Sequence, residues 1–134
     1  MNIIEKAKAL NFPAGKYVIV GSGPLDALGI RPANDMDIAV LPELHTRLRE
    51  TGEWNEDVRY GRVFLQQEGI EIIPELSWPE YPTTTEEAIR SATIIEGIPF
   101  MNLSELKKFK QALGREKDFA DIALIDEYLK EHNL

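Results

Sequence analysis

The sequence predicts a mixed α/β protein, one β-sheet flanked by helices, and three observations carry that expectation. Short β-branched runs at Lys16–Val20 and Ile70–Ile73 have the length and composition of strands. Between them lie segments whose apolar residues recur at helical spacing, such as Ile3, Ile4, Ala7 and Leu10. Turn and cap residues punctuate the boundaries, among them Gly21 to Pro24, Pro42, Glu68-Gly69 and Gly114. At 134 residues the chain has the length of one domain, and a single domain over residues 1–134 is expected.

The elements follow in order. A short N-terminal helix precedes the strand Lys16–Val20, which ends abruptly at Gly21. Pro24 suits the first turn of a helix reaching Leu28, with Ser22 or Gly23 as its cap. A polar loop, Gly29–Asn34, leads to a second strand, Asp35–Val40. Pro42 opens a helix through about Glu50, and Thr51-Gly52 ends it. Arg62–Gln67 and Ile70–Ile73 read as a hairpin around Glu68-Gly69, and residues 53–61 carry no helix or strand signal. After a proline-containing loop, Trp78–Thr85, a helix starts with Thr84 or Thr85 as cap and Glu86 and Glu87 in its first turn. Ala92–Ile95 and Ile98–Met101 suit two short strands about Glu96-Gly97. Asn102, in preference to Ser104, caps a helix Leu103–Leu113. A last helix, about Lys117–Glu131, is expected to place Phe119, Ile122, Ala123, Ile125 and Leu129 largely on one face.

Composition narrows the function classes. The chain has no cysteine, which removes thiolate metal sites, cysteine nucleophiles and disulfide scaffolds together. No run approaches the ~18 apolar residues of a bilayer span, so a soluble, cytoplasmic protein without membrane contact is expected. The net charge of −8 opposes general nucleic-acid binding, which needs clustered Lys and Arg. The charge is unevenly spread: residues 35–96 hold fourteen Asp and Glu against five Arg and no Lys. Lys107, Lys108, Lys110, Arg115 and Lys117 form one basic wall near the C-terminus.

The chemistry centres on a strand running into Gly21-Ser22 and, after twelve intervening residues, Asp35 and Asp37 at the start of another strand. Gly21 lets the backbone turn close to a bound group. The amides of Ser22 and Gly23 and the Ser22 hydroxyl then stand at a helix start, where phosphate oxygens are favoured. Two carboxylates two residues apart on a strand face the same side and repel, by up to ~1 kcal/mol. Such a pair suits Mg²⁺ or Mn²⁺ shared with substrate phosphates.

These motifs, Val20-Gly21-Ser22 with Asp35-Met36-Asp37-Ile38, resemble the signature of the nucleotidyltransferase superfamily, the group related to DNA polymerase β and the small antibiotic-modifying adenylyltransferases. The C-terminal stretch, Leu106 to Lys110 and then Gly114 to Asp118 and Asp121, also resembles the tail of several bacterial members. The resemblance implies a nucleotidyltransferase-like fold and transfer of a nucleoside monophosphate from ATP or another NTP to a hydroxyl, with release of pyrophosphate. It implies metal ligation by Asp35, Asp37 and a third carboxylate between apolar residues, for which Glu71 fits, with Glu75 as substitute and Glu68 as a poorer one. Gly21, Ser22 and Gly23 would hold phosphates, and Lys110, with Arg115 or Lys117 behind it, would offset charge on pyrophosphate. The acceptor would be a small molecule or a partner protein, with a homodimer or an operon partner completing the site. The alternative is a nucleotide-binding antitoxin or regulatory protein of the same fold that acts beside a partner protein. His45 and His132 read as surface residues, and Trp54 and Trp78 as packing anchors.

Overall fold

A computed structural model describes residues 2–133. In chain order the elements are α1 (Ile3–Leu10), β1 (Tyr17–Val20), α2 (Gly23–Ala27), β2 (Met36–Val40), α3 (Pro42–Thr51), β3 (Asn55–Arg59), β4 (Arg62–Gln67), β5 (Ile70–Ile73), α4 (Thr85–Arg90), β6 (Thr93–Ile95), β7 (Ile98–Phe100), α5 (Leu103–Leu113) and α6 (Glu116–Glu131). The strands of the described residues join in one mixed sheet of order β3-β4-β5-β2-β1-β7-β6. β1 pairs antiparallel with β2 and parallel with β7, while β2 runs parallel to β5. The expected mixed sheet flanked by helices is therefore present.

Two apolar layers hold the sheet. On one face Ile19, Ile38, Ile72 and Phe100 pack against Ala7 of α1 and Leu44 and Leu48 of α3. On the other, Val18, Val20 and Ala39 meet Ala88 of α4, Leu106 and Phe109 of α5 and Ile125 of α6. The central strands are buried on both faces, which is why β1 reads as an unbroken β-branched run. Local signals set the helix ends. Thr84 accepts from the Glu87 amide while the Glu87 side chain accepts from the Thr84 amide, a capping box worth ~1 kcal/mol. Asn102 caps α5 by accepting from the Glu105 amide. Gly52 and Gly114 close α3 and α5 in the left-handed conformation.

Four features depart from the sequence-based expectation. Residues 55–59 form a strand, β3, paired antiparallel along its length with β4. Asp35 lies in the bend before β2 rather than inside the strand. The buried side of α6 carries Asp118, Asp121 and Ile125, whereas Phe119 is 58% exposed. His45 is half-buried, its Nε2 2.7 Å from the Val63 carbonyl oxygen, so its ring ties α3 to β4. Trp78 packs against Tyr81 and Phe109, with ring centroids 5.3 and 5.8 Å away.

Candidate functional site

Strand register sets out a line of side chains across one sheet face. Val20 lies opposite Asp37, Asp37 opposite Glu71, and Glu71 opposite Gln66. Residues directly opposite in neighbouring strands project to the same side. Asp37, Glu71 and Gln66 therefore share the face on which α5 and α6 pack. Asp35, two residues before Asp37, stands exposed at the open end of that face.

Gly21 brings the backbone against this line. Its φ is +65°, and a Cβ at this position would stand only 2.7 Å from Asp37 Oδ2. Any side chain here would thus meet both a backbone penalty and the carboxylate. Gly23 is excluded from growth for a different reason, since a Cβ there would collide with the Ile19 side chain. Ser22 occupies the N-cap of α2 without a side-chain cap bond; its Oγ lies 3.5 Å from the Asp35 carbonyl oxygen and donates to it. The two chemical loops, residues 21–23 and the approach to β2, are joined by that bond.

Asp37 is the electrostatic centre. Burial, then Glu71, then Asp35 push its pKa up to about 6, against the opposing pull of Lys110 and Arg115. Charge on Asp37 is therefore costly in this setting, a cost a dication would relieve. Among the described residues no three acidic or histidine side chains are gathered into a ready cage. The donors fit Mg²⁺ or Mn²⁺ in another way, as one or two carboxylates whose shell substrate oxygens and water complete.

The basic wall has an internal structure. Lys110 is only 3% exposed. Its Nζ donates to Asp121 Oδ2 at 2.9 Å and lies 3.8 Å from Asp118 Oδ1. Arg31, in the loop leading to β2, grips both oxygens of Asp121 with one guanidinium edge, Nε to Oδ1 at 2.7 Å and Nη2 to Oδ2 at 2.8 Å. Arg115 pairs with the buried Asp118 at 2.6 Å while its own side chain stays half exposed. Three cations therefore share two buried carboxylates. Arg31 and Lys110 hold Asp121 at about 2, well below its ordinary range, despite its burial. Lys117 lies in the first turn of α6 and belongs to none of these pairs.

The structure thus brings together Gly21, Ser22, Asp35, Asp37 and Glu71. Lys110 reaches Asp37 by its field, its ammonium being bonded to Asp121. Glu75, the substitute carboxylate, lies elsewhere: it accepts from the amides of Ser77 and Thr85 and from the Thr85 hydroxyl. Glu68 lines a cavity of about 410 Å³ between α1 and the start of β2, together with Lys6, Asp26 and Asp35. That cavity includes neither Asp37 nor Glu71, so only Asp35 borders both.

Sequence reasoning missed Gln66 and Arg59, and did not foresee that Arg31 pairs with Asp121. Gln66 Nε2 donates to Glu71 Oε2 at 3.3 Å, and Arg59 Nη2 lies 3.0 Å from Glu71 Oε1. Alternation within β3 would have shown Arg59 on the Glu71 face, once residues 55–59 were known to pair with β4. No family model and no curated protein matches this chain.

Proposed function

We propose that this protein is a Mg²⁺-dependent nucleotidyltransferase that moves an NMP group from ATP or another NTP to a hydroxyl of a small molecule or partner protein. The observation that carries this reading is the close approach of the side-chain-free Gly21 to Asp37, on a face shared with Glu71. A phosphate chain resting on the amides of Ser22 and Gly23 would lie beside those carboxylates without a Cβ between them. The acceptor oxygen would attack the α-phosphorus, forming one P–O bond as the bond to the pyrophosphate oxygen breaks. Glu71 would help hold the metal and would take the proton of the attacking hydroxyl. Bound Mg²⁺ would supply charge neutralisation for the attacking and leaving oxygens. The half-exposed guanidinium of Arg115 would meet the negative charge of departing pyrophosphate, and the buried Lys110 would add its field.

The test is incubation with Mg²⁺ and each α-labelled NTP, across small hydroxyl acceptors, the chain itself and proteins encoded beside it. Label should move to one acceptor class. Glu71→Gln should lower that transfer ~100-fold or more while weakening nucleotide binding far less, because Glu71 acts on the acceptor and is one of several groups that would hold the metal. A fully active Glu71→Gln protein would remove Glu71 from the mechanism. Nucleotide binding with no transfer in any arm would favour the regulatory or antitoxin reading of the same site.

A further inference from the structure

We propose that Arg59 is a positioning residue that acts as a stand-in cation: it holds Glu71 toward β3 and competes with metal for that carboxylate. The inference rests on reading Asp35, Asp37 and Glu71 as a metal site. β3 is two strands away from β5, roughly 10 Å at ordinary strand spacing. The Arg59 side chain crosses that gap by lying over the Phe64 ring of β4, its Cζ 4.1 Å from the ring centroid. It ends with Nη2 3.0 Å from Glu71 Oε1, while Nε lies 2.9 Å from Asp57 Oδ2. Both oxygens of Glu71 are thereby engaged from the β4 and β3 side, Oε2 by Gln66 and Oε1 by Arg59. Asp37 lies on the opposite side, on β2.

The hold is of a kind that can be released. Nε and Nη2 of Arg59 are shielded from water, yet neither makes a well-directed hydrogen bond among the described residues. The two carboxylates are near by distance but off the N–H directions, unlike the aligned fork between Arg31 and Asp121. An ion pair without that alignment is weak. The Gln66 contact, at 3.3 Å, is long. A dication beside Asp37 would attract Glu71 about twice as strongly as a guanidinium at equal distance. Metal would therefore draw Glu71 toward β2, and Arg59 would be left on Phe64 and Asp57.

Competition of this kind makes a prediction opposite to that of a supporting ion pair. Mn²⁺ binding is measured by the loss of the free-ion electron paramagnetic resonance signal at pH 7.5, on the full chain without nucleotide. Wild type, Arg59→Gln, Arg59→Met, Arg59→Lys and Asp37→Asn are compared. Arg59→Gln should bind Mn²⁺ roughly three- to tenfold more tightly than wild type. Arg59→Met keeps the stem over Phe64 and should do the same, which protects the comparison if the glutamine variant folds poorly. Arg59→Lys keeps the charge and should return affinity to within about twofold of wild type. If Asp37→Asn abolishes Mn²⁺ binding but the neutral Arg59 variants bind no tighter than wild type, Arg59 is not a competitor and the metal site still stands. Mn²⁺ binding absent from every protein, or indifferent to Asp37→Asn, would overturn the metal reading and this inference with it.

Discussion

Asp37 is asked to be charged where burial and two neighbouring carboxylates favour its proton. The rise of its pKa from 3.8 to about 6 corresponds to up to ~3 kcal/mol, and the water still reaching the half-buried carboxyl leaves ~1–2 kcal/mol. Below pH 3.8 the group is protonated in folded and unfolded chains alike, and the fold carries no penalty. The penalty grows as pH rises and is complete above about 6. Asp37→Asn should therefore stabilise the metal-free protein by ~1–2 kcal/mol at pH 7.5 and by almost nothing at pH 3.5. Urea melts in chelator at both pH values measure this. Equal effects at the two pH values, or a loss at pH 7.5, would mean that Asp37 is a structural partner. The motif residues were legible in the sequence because Gly21, Ser22, Asp35 and Asp37 lie within seventeen positions, just after one strand and at the start of the next. The burial of Lys110 was not, because it depends on Asp121 and Arg31, which the sequence holds eleven and seventy-nine residues away.

At the scale of elements, α6 and β3 show what periodicity alone misses. A helical face is normally found by its apolar residues, yet α6 turns Asp118 and Asp121 inward with Ile125. Those carboxylates are buried because Lys110, Arg31 and Arg115 supply their hydrogen bonds, a pairing that no window along α6 contains. β3 reads Asn-Glu-Asp-Val-Arg, too polar for a strand signal, and exists because its backbone completes the edge of β4. β1 and β5 were legible because their short apolar runs are rich in β-branched residues and adjoin glycine turns, at Gly21 and Gly69. The inward carboxylates also fix a prediction for α6. Asp121→Ala would leave Lys110 buried with only Asp118 near, at 3.8 Å, and would free Arg31. The expected loss is ~3–5 kcal/mol at neutral pH, the range for removing one member of a buried ion pair. Since Asp121 is held near 2, its stabilisation is present above 3.8 and fades as pH falls through 2. Chemical denaturation at pH 7 measures the loss, and a change under 1 kcal/mol would show that the cluster is not a structural clamp.

Across the whole molecule, the proposed ligand would touch parts of the chain that nothing local connects. The turn after β1, the start of β2, the middle of β5 and the start of α6 meet at one edge of the helix-covered face. The acidic middle of the sequence and its basic C-terminal wall come together there, with Asp37 feeling Glu71 and Asp35 on one side and Lys110 and Arg115 on the other. A ligand that needs all four segments binds only the folded chain, so it must stabilise global unfolding by mass action. At a hundred times Kd, Mg²⁺ with a non-hydrolysable NTP should add ~2.7 kcal/mol, or roughly 8–12 °C in Tm for a chain of this size. Metal alone should add less, because its shell is incomplete without the nucleotide's oxygens and its binding is weaker, and nucleotide alone should add least, because it brings charge that only the metal balances. The response should also depend on pH through Asp37, whose pKa is pushed up to about 6. Metal needs the ionised carboxylate, so the shift should be large at pH 7.5 and much reduced at pH 5, where most of Asp37 is protonated. In Asp37→Asn the shift should be lost at both pH values, as a neutral amide is a poor ligand for a hard dication. Thermal melts of the two proteins, with metal, nucleotide, both or neither, separate these outcomes. A shift produced by nucleotide alone and indifferent to pH and to Asp37 would place the ligand elsewhere, on the exposed basic residues of α5 and α6. No shift at millimolar ligand and pH 7.5 would leave the close approach of Gly21 to Asp37 without a nucleotide to explain it.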